Sequence, residues 1–464
     1  MKKYIYLLSA VALFSACSSL DQEPSTSVST TTAITTVQDL ANAINGAYYL
    51  ACYGDQMSMA SEMAIYADEL GPDSNVDKGS GQYAQKIQER SVTDNDSYGI
   101  YYYLYKAIAN INQALAAAEE IDADEDEIAP YVAELHGMRG LFHFHLATFF
   151  APIPTSGSTN DLGIVLSTDV YDLDYKGARA TLDQTYQQIV DDLTACIDSK
   201  QNKAKNDGHV NYWAALALRA RAYLYWGKYN LALADADSVI QHSPYKLYTR
   251  DNYVASWKTQ DGTDEMIMQY IQDDNYNAQR YNPGYYTHPD GYTEYLVTTA
   301  FYNFMKADLN DIRSEMVAWK TTENGNGVDG YYPLKYPGKT GSSVPLYANN
   351  IKVVRLSEMY LIAAEAALKA GDPVATAAGY LNTLRQNRIT GYVNVATTDI
   401  DDIINERRKE LFAEGQIAFD YWRNGKTITS GVRTFGPDDY QNVLPIPKEE
   451  LNACGDILVQ NPGY

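Results

Sequence analysis

Residues 217–244 read ALRARAYLYWGKYNLALADADSVIQHSP, and this stretch decides the fold class. Small residues such as Ala220 and Ala232 allow two helices to approach closely. Gly227 suits a tight turn between them, and Pro244 ends the second helix because proline cannot continue it. The stretch therefore predicts two antiparallel helices joined by a short turn.

The spacing within this stretch matches one tetratricopeptide repeat. The matching positions are Ala220, Tyr223, Gly227, Tyr229, Ala232 and Pro244. Residues 360–386, YLIAAEAALKAGDPVATAAGYLNTLRQ, form a looser copy around Gly371. Because the two copies lie far apart in the sequence, they predict helix pairs embedded in a larger helical domain, not a tandem array.

Most of the remaining chain is also helical in its periodicity. Apolar residues recur at helical spacing over residues 37–54, 97–121, 130–150 and 181–200. Strand signals are few, at 264–271 and 331–336, and long polar loops occupy 151–180, 272–292 and 321–350. The chain is predicted to be mostly α, with long loops and a few short strands.

Composition excludes some classes of function. The chain has 464 residues and a formal net charge of −23, so a concentrated positive surface for nucleic acid is not expected. The 41 tyrosines are unusually many, and they suit both helix packing and stacking on sugar rings. Cys52, Cys196 and Cys454 match no zinc or redox motif and are interpreted as isolated small apolar residues, although one disulfide stays possible.

The N-terminus predicts a lipid anchor. Lys2 and Lys3 precede a short apolar run, and the small residues Ser15 and Ala16 lead directly to Cys17. This pattern resembles a bacterial lipobox, so we expect a signal peptide at 1–16 and acylation of Cys17. The Ser/Thr-rich residues 17–36 then form a disordered tether, and a single helical domain is expected over 37–464.

Three C-terminal motifs resemble the SusD/RagB family of Bacteroidetes outer-membrane nutrient-binding lipoproteins. They are VVRLSEMYLIAAEAALKAGD (353–372), INERRKELFAEGQIAFDYWRNG (404–425) and VLPIPKEELNACGDILVQNPGY (443–464). Weaker matches upstream follow in the same order, so the resemblance spans the chain. One departure is Gln416, where the family usually has arginine.

The resemblance implies a SusD-like helical fold and a binding protein without catalytic residues. Such a protein would sit at the cell surface on its lipid anchor, bind oligosaccharide or polysaccharide, and deliver it to a SusC-like TonB-dependent barrel. Two alternatives stay open: a RagB-like lipoprotein that captures peptides, and a helical glycoside hydrolase with acidic catalysts. The sequence does not identify the glycan.

The charged residues of the C-terminal motifs are interpreted as structural. They alternate in sign along one predicted helix, at spacings that permit i,i+4 pairs. The set comprises Glu406, Arg407, Glu410, Glu414, Asp420 and Arg423. We expect them to be charged struts that tie helices together, with Arg355, Glu358 and Glu365 as further partners.

The strongest binding signal is the loop DDNYNAQRYNPGYYTHPDGYTEYL at 273–296. Tyrosines in a polar loop cannot all belong to the core, and aromatic faces beside amides suit a neutral sugar or a peptide. Family analogy groups two further segments with it, 68–83 and 94–103. The candidate ligand-binding residues are Tyr281, Tyr285, Tyr286 and Tyr292, then Asp73, Asn75 and Tyr83, and finally Tyr98 and Tyr101.

No metal, cofactor or catalytic constellation is predicted. His143 and His145 are two residues apart, unlike the i,i+4 pair of a helical metal site. The acidic run 122–127 lacks the glycine of a calcium-binding loop. Phosphate-binding glycine loops and nucleophile motifs are absent from the sequence.

Overall fold

The computed structural model describes residues 33–464 except 54–58, 77–83, 97, 173, 206–207, 261–263, 323–326 and 431–432. Sixteen α-helices dominate this part of the chain. They are α1 (Val37–Tyr53), α2 (Met59–Glu69), α3 (Gln85–Gln88), α4 (Gly99–Ala118), α5 (Glu125–Phe150), α6 (Leu182–Asp198), α7 (Tyr212–Trp226), α8 (Tyr229–His242), α9 (Tyr253–Thr259), α10 (Pro283–Tyr286), α11 (Thr299–Lys306), α12 (Leu356–Ala370), α13 (Val374–Gln386), α14 (Ile400–Leu411), α15 (Ile417–Arg423) and α16 (Lys448–Cys454). The predicted mostly helical class is confirmed.

Both predicted helix pairs are present, as α7–α8 and α12–α13. Gly227 and Gly371 end the first helix of each pair with positive φ angles of 79° and 86°. Helix α8 packs against α12, so the two pairs lie side by side although they are distant in sequence. Contacts α4–α5, α5–α6 and α6–α7 extend this into a continuous array of helices. Ala220 and Ala232 are fully buried within it, as close packing requires.

The strands form five antiparallel pairs in the described residues: β1 (Ser74–Asn75) with β5 (Leu296–Val297), β2 (Leu162–Val165) with β3 (Arg179–Thr181), β4 (Met266–Tyr270) with β8 (Ile351–Arg355), β6 (Val317–Lys320) with β7 (Gly330–Pro333), and β9 (Ile428–Ser430) with β10 (Arg433–Phe435). The strands predicted at 264–271 and 331–336 correspond to β4 and β7. Strand β8 continues directly into α12, and the β1–β5 pair joins the segment after α2 to the end of the tyrosine-rich loop.

The charged motif at 404–425 departs from the expected single helix. It divides into α14 and α15, because Ala413 and Gly415 adopt positive φ angles of 59° and 76°. A Cβ atom at residue 415 would lie 2.7 Å from the carbonyl oxygen of Met63, so the close approach of α2 requires glycine there. The motif is therefore a helix–turn–helix around a buried contact.

The expected charged struts are confirmed, but most of their partners come from other elements. Glu410 is fully buried and accepts hydrogen bonds from Arg313 (3.1 Å), Arg355 (3.1 Å) and Arg388 (3.0 Å). Arg407 pairs with Asp420 at 2.7 Å across the turn between α14 and α15. The i,i+4 spacing does not supply these contacts of Glu410 and Arg407, although Asp420 and Arg423 pair along α15 at i,i+3 and 2.7 Å. A buried charge needs a counter-charge inside the core, and neighbouring elements provide most of them here.

Further ion pairs continue this buried charge network, defined here by Arg313, Arg355, Arg388, Glu265, Glu410 and Glu414. Arg355 binds Glu414 at 2.8 Å and also contacts Glu265. Nearby, Glu358 pairs with Arg221 at 2.6 Å and Glu365 contacts Arg423, so both join as expected. The network ties together β8, α14 and the turn after it, the segment after α13, the residue before β4 and the segment before β6.

Two remaining features bear on the anchor and on redox state. In the part of the chain described, every helix is too short or too polar to span a bilayer. Cys52 and Cys196 are buried and, like Cys454, free, which confirms their interpretation as isolated residues. Cys17 lies outside the described residues, so its acylation stays a prediction.

Candidate ligand-binding surface

The tyrosine-rich loop folds back on itself into a compact unit. The Asn282 side chain accepts a hydrogen bond from the Gly284 amide and caps the short helix α10. The amide of Tyr292 then donates to the carbonyl of Tyr285 at 3.0 Å. A Cβ atom at Gly291 would lie 1.9 Å from that same carbonyl, so this glycine permits a contact within the loop itself.

The fold brings four predicted residues together as one tyrosine cluster: Tyr281, Tyr285, Tyr286 and Tyr292. Tyr292 is central, with ring centroids 6.3 Å from Tyr281, 5.0 Å from Tyr285 and 5.7 Å from Tyr286. Tyr347, which sequence reasoning missed, extends the cluster at 5.6 Å from Tyr285. These edge-on and tilted contacts are favourable aromatic geometries.

The cluster has a buried side and an accessible side. Tyr286 is only 2% exposed, whereas Tyr281, Tyr285 and Tyr292 are half-buried. The ring of Tyr286 belongs to the core beneath the loop, so the structure does not place it on the accessible side. The other three rings keep surface that a ligand could cover.

A second aromatic group adjoins this loop and was not found from the sequence. Trp319 on β6 is 54% exposed, and its ring meets Tyr331 at 5.0 Å. Tyr331 in turn stacks on Tyr302 at 4.0 Å with an interplanar angle of 20°. The sequence signal available was a tryptophan in a short strand, VAWK, followed by the polar residues Lys320 and Thr321.

The hairpin that carries Trp319 is held against the tyrosine-rich loop. The hydroxyl of Thr322 donates to Asp290 Oδ1 at 2.7 Å. Gly327 approaches so closely that a Cβ atom there would lie 1.3 Å from the carbonyl oxygen of Pro289. The two aromatic groups therefore belong to adjoining structural elements.

The second predicted segment has a structural role at Asp73. Asp73 is 5% exposed and accepts two hydrogen bonds from Arg408, at 2.8 and 2.5 Å. Both carboxylate oxygens are engaged by the half-buried guanidinium of Arg408, and contact of Asp73 with a ligand stays a prediction. Asn75 is exposed and pairs through its backbone with Leu296 at the end of the loop. Tyr83 lies outside the described residues.

The two candidate tyrosines of the third predicted segment are buried. Tyr98 is 8% exposed and packs edge-on against Tyr66 at 5.9 Å. Tyr101 is 5% exposed and packs against Phe150 at 5.0 Å. Both rings are largely covered by the protein interior, and their stacking on a ligand stays a prediction.

Beneath the loop lie buried carboxyl groups. Burial raises the pKa of Asp68 to about 7, although hydrogen bonds from Tyr295 and from the backbone of Ile417 oppose the shift. Burial likewise raises the pKa of Glu62 to about 8, and one of its oxygens accepts from the Ile100 amide at 3.0 Å. Among the residues described, no three His, Cys, Asp or Glu side chains converge as a metal site. Asp68 supports the loop from within the core through its hydrogen bond from Tyr295, whereas Glu62 caps the start of α4.

Comparison with known families places this geometry in context. A family model described as the SusD family matches residues 190–464, and one described as "starch-binding associating with outer membrane" matches residues 19–224. A curated relative, SusD-like protein P2 from Formosa agariphila, is 22% identical over 526 residues and is covered completely, as is this chain.

Solved structures agree. A SusD superfamily protein from Bacteroides thetaiotaomicron superposes with a TM-score of 0.85 at 29% identity, covering 92% of this chain and 100% of its own. A putative sugar-binding protein from Bacteroides vulgatus gives 0.84 at 28%, covering 93% and 100%. The fold is shared by surface glycan-binding protein A of B. thetaiotaomicron in complex with laminarihexaose, at 0.75 and 21%, covering 92% and 100%. The chain belongs to the SusD/RagB family, whose members are associated with the outer membrane.

Proposed function

We propose that this protein is a cell-surface lipoprotein that binds a neutral oligosaccharide and passes it to a SusC-like TonB-dependent barrel. The observation that carries the proposal is the accessible aromatic surface of Tyr281, Tyr285 and Tyr292, with Trp319 on the adjoining hairpin. Large aromatic faces left accessible in a protein with an extensive apolar core indicate a ligand.

The chemistry of these side chains suits sugar rings. The apolar face of a pyranose can stack on tyrosine or tryptophan, while its hydroxyl groups need donors and acceptors at the ring edge. The loop offers exposed polar side chains beside the rings, Gln279 and Arg280. A hydrogen bond to Tyr347 raises the pKa of Arg280, so this guanidinium stays charged and able to donate.

Charge favours a neutral ligand. With a formal net charge of −23, the protein repels acidic glycans at long range. The names of the similar proteins support carbohydrate as the ligand class: one is described as sugar-binding and another forms a complex with laminarihexaose. Capture without bond cleavage is the proposed mechanism, with no catalytic residues.

The proposal also includes a lipid anchor at Cys17 and a SusC-like barrel as partner. Acylation of Cys17 would hold the protein at the outer membrane, with residues 17–36 as a tether and 37–464 as one folded domain. The SusC-like barrel is proposed from family membership. Replacing Cys17 by Ala should release the protein from membranes, and a variant that stays in the detergent phase would contradict acylation.

The ligand site is tested with a triple variant, Tyr281→Ala, Tyr285→Ala and Tyr292→Ala, which spares the buried Tyr286. The matched control replaces three exposed tyrosines elsewhere, Tyr102 (55% exposed), Tyr171 (38%) and Tyr175 (46%). Calorimetric titration with a panel of neutral hexasaccharides, including α-1,4- and β-1,3-linked glucans, measures affinity. Since each stacking face contributes about 1 kcal/mol, the triple variant should bind roughly 100-fold more weakly.

Other outcomes decide against the proposal. Equal affinity in the triple variant and in the wild type would remove this loop from the site. Binding of oligopeptides in place of glycans would indicate a peptide-capturing relative. Shortened oligosaccharides after incubation with the wild-type protein would indicate a hydrolase, because a binding protein returns its ligand intact.

A further inference from the structure

A separate cavity of about 560 Å³ opens where α1 meets the end of β4 and the start of the tyrosine-rich loop. We call it the side cavity. Its lining includes Asn45, Tyr48, Tyr49, His209, Tyr270 and Tyr276. This volume lies within the range of about 300–1,000 Å³ that small ligands occupy.

The side cavity has a fixed floor. Tyr48 is 9% exposed, and its hydroxyl donates to Glu134 Oε1 at 2.7 Å while accepting from the Val210 amide at 2.8 Å. His209 Nδ1 bonds the same carboxylate oxygen at 2.7 Å and its ring packs edge-on against Tyr48 at 5.2 Å. Because Nδ1 donates to the carboxylate, Nε2 is the nitrogen left for a ligand.

The rim is aromatic and accessible. Tyr49 is 46% exposed and Tyr276 is 62% exposed. The Tyr276 backbone is fixed by a turn in which Asp273 Oδ1 accepts from its amide at 2.6 Å. Asn45 is exposed on the turn of α1 before Tyr49, so an amide stands close to an aromatic face.

We infer that the side cavity binds pyranose rings of the same neutral oligosaccharide, as a second subsite; this rests on the proposed function above. Aromatic faces combined with an amide, an imidazole and a carboxylate match a ligand with apolar ring faces and hydroxyl edges. The tyrosine-rich loop joins the two sites in the chain, because Tyr276 lies five residues before Tyr281. A long glycan could thus contact both.

Two independent variants test this subsite. One removes the rim, Tyr49→Ala with Tyr276→Ala. The other fills the space, Gly46→Leu, because a Cβ atom at this helical glycine has no neighbour within 4 Å and the backbone accepts any residue. Both leave the tyrosine cluster intact. The probes are the α-1,4- and β-1,3-linked glucohexaoses, titrated calorimetrically, with melting temperature as the folding control.

We expect the rim variant, which loses two stacking faces, to bind the preferred hexasaccharide about 30-fold more weakly, and the filled variant to bind it about tenfold more weakly. The melting temperature should stay unchanged in both, and crystals soaked in the hexasaccharide should show density in the side cavity. Wild-type affinity in both variants, with loss only in the triple tyrosine variant, would overturn this inference and leave the proposed function standing. Normal glycan affinity with loss of co-purification with a barrel would assign the cavity to a protein partner and overturn it too. If the wild type binds no glycan, both fail.

Discussion

The buried charge network and the tyrosine cluster reverse the usual placement of residue types. Arg355, Arg388 and Glu410 are fully buried, while the aromatic rings of Tyr285 and Tyr292 keep accessible surface. In the network every charge meets opposite charges, so its groups are satisfied within the protein. In the cluster the rings contact one another, but the accessible faces of Tyr285 and Tyr292 are still open to a ligand. The most recognisable sequence motif therefore stabilises the fold, whereas a ligand is expected to bind where apolar surface stays accessible.

The electrostatics of Glu410 illustrate how such a network persists in a core. Burial by itself would raise its pKa, but the guanidinium groups of Arg388, Arg355 and Arg313 outweigh burial and hold the pKa well below its usual range. The carboxylate therefore stays ionised among three cations. Breaking such an arrangement is costly because the remaining charges lose their partner without gaining water.

The largest expected effect follows from removing that partner. Glu410→Ala should lower the free energy of unfolding by about 3–5 kcal/mol, since three guanidinium groups stay buried with one carboxylate fewer. Chemical denaturation measures this loss. The control is Asp401→Ala, which breaks the exposed Lys426–Asp401 pair, whose side chains are 36% and 67% exposed. That change should stay below about 0.5 kcal/mol. Similar losses in the two variants would contradict the structural role of the network.

The second prediction sharpens the division within the tyrosine cluster. Tyr286→Ala should destabilise the protein by roughly 3 kcal/mol, because it empties a core position. Its neighbour Tyr285 is half-buried, and Tyr285→Ala should cost about 1 kcal/mol or less in stability. Thermal unfolding of the two single variants compares them directly. An equal loss of stability would place both rings in the core and weaken the case for the ligand surface.

The third prediction concerns a buried acid that, unlike Glu410, has no counter-charge in the described part of the chain. Glu62 is buried, and burial raises its pKa from 4.5 to about 8. Between pH 4.5 and pH 8 the folded protein therefore holds a proton on Glu62 that the unfolded chain has released. Its contribution to stability is thus present below about pH 4.5 and is lost as pH rises through about 8. Glu62→Gln cannot ionise, so it should gain about 1–3 kcal/mol over the wild type between pH 5 and pH 9.

Denaturation curves at both pH values measure this gain. Other titrating groups act in both proteins and cancel in the difference. A constant difference between the variant and the wild type at all pH values would show that Glu62 is ionised in the folded protein.

The smallest expected effect concerns binding alone. Tyr285→Ala and Tyr292→Ala, made singly, should each weaken affinity for the preferred hexasaccharide about fivefold, corresponding to about 1 kcal/mol per stacking face. Tyr286→Phe serves as the control, because this buried ring should not touch the ligand. Calorimetric titration measures the affinity of each variant and shows which substitution weakens binding most. A larger loss in Tyr286→Phe than in Tyr285→Ala would reverse the assignment of the two sides.

Much of the fold could be predicted because its signals are local. Residues close together in the sequence are enough to predict the helix pairs around Gly227 and Gly371, the strand at 264–271 and the family motifs. The location of the tyrosine-rich loop was also predictable, since many aromatic residues in a polar stretch are anomalous. The function assigned to each ring was not, because neighbours such as Tyr285 and Tyr286 differ only in which side of a short helix they occupy.

The helical class, the two helix pairs, the family resemblance and the aromatic loop could thus all be inferred from the amino-acid sequence. Four features became visible in the folded chain: the two helix pairs pack together, Glu410 binds three arginines, Asp73 pairs with Arg408, and Trp319 adjoins the loop. The two groups of features differ in how far apart in the sequence the interacting residues lie. Helical periodicity is set by hydrogen bonds four residues apart, whereas burial and charge pairing depend on contacts between segments that only the folded chain brings together.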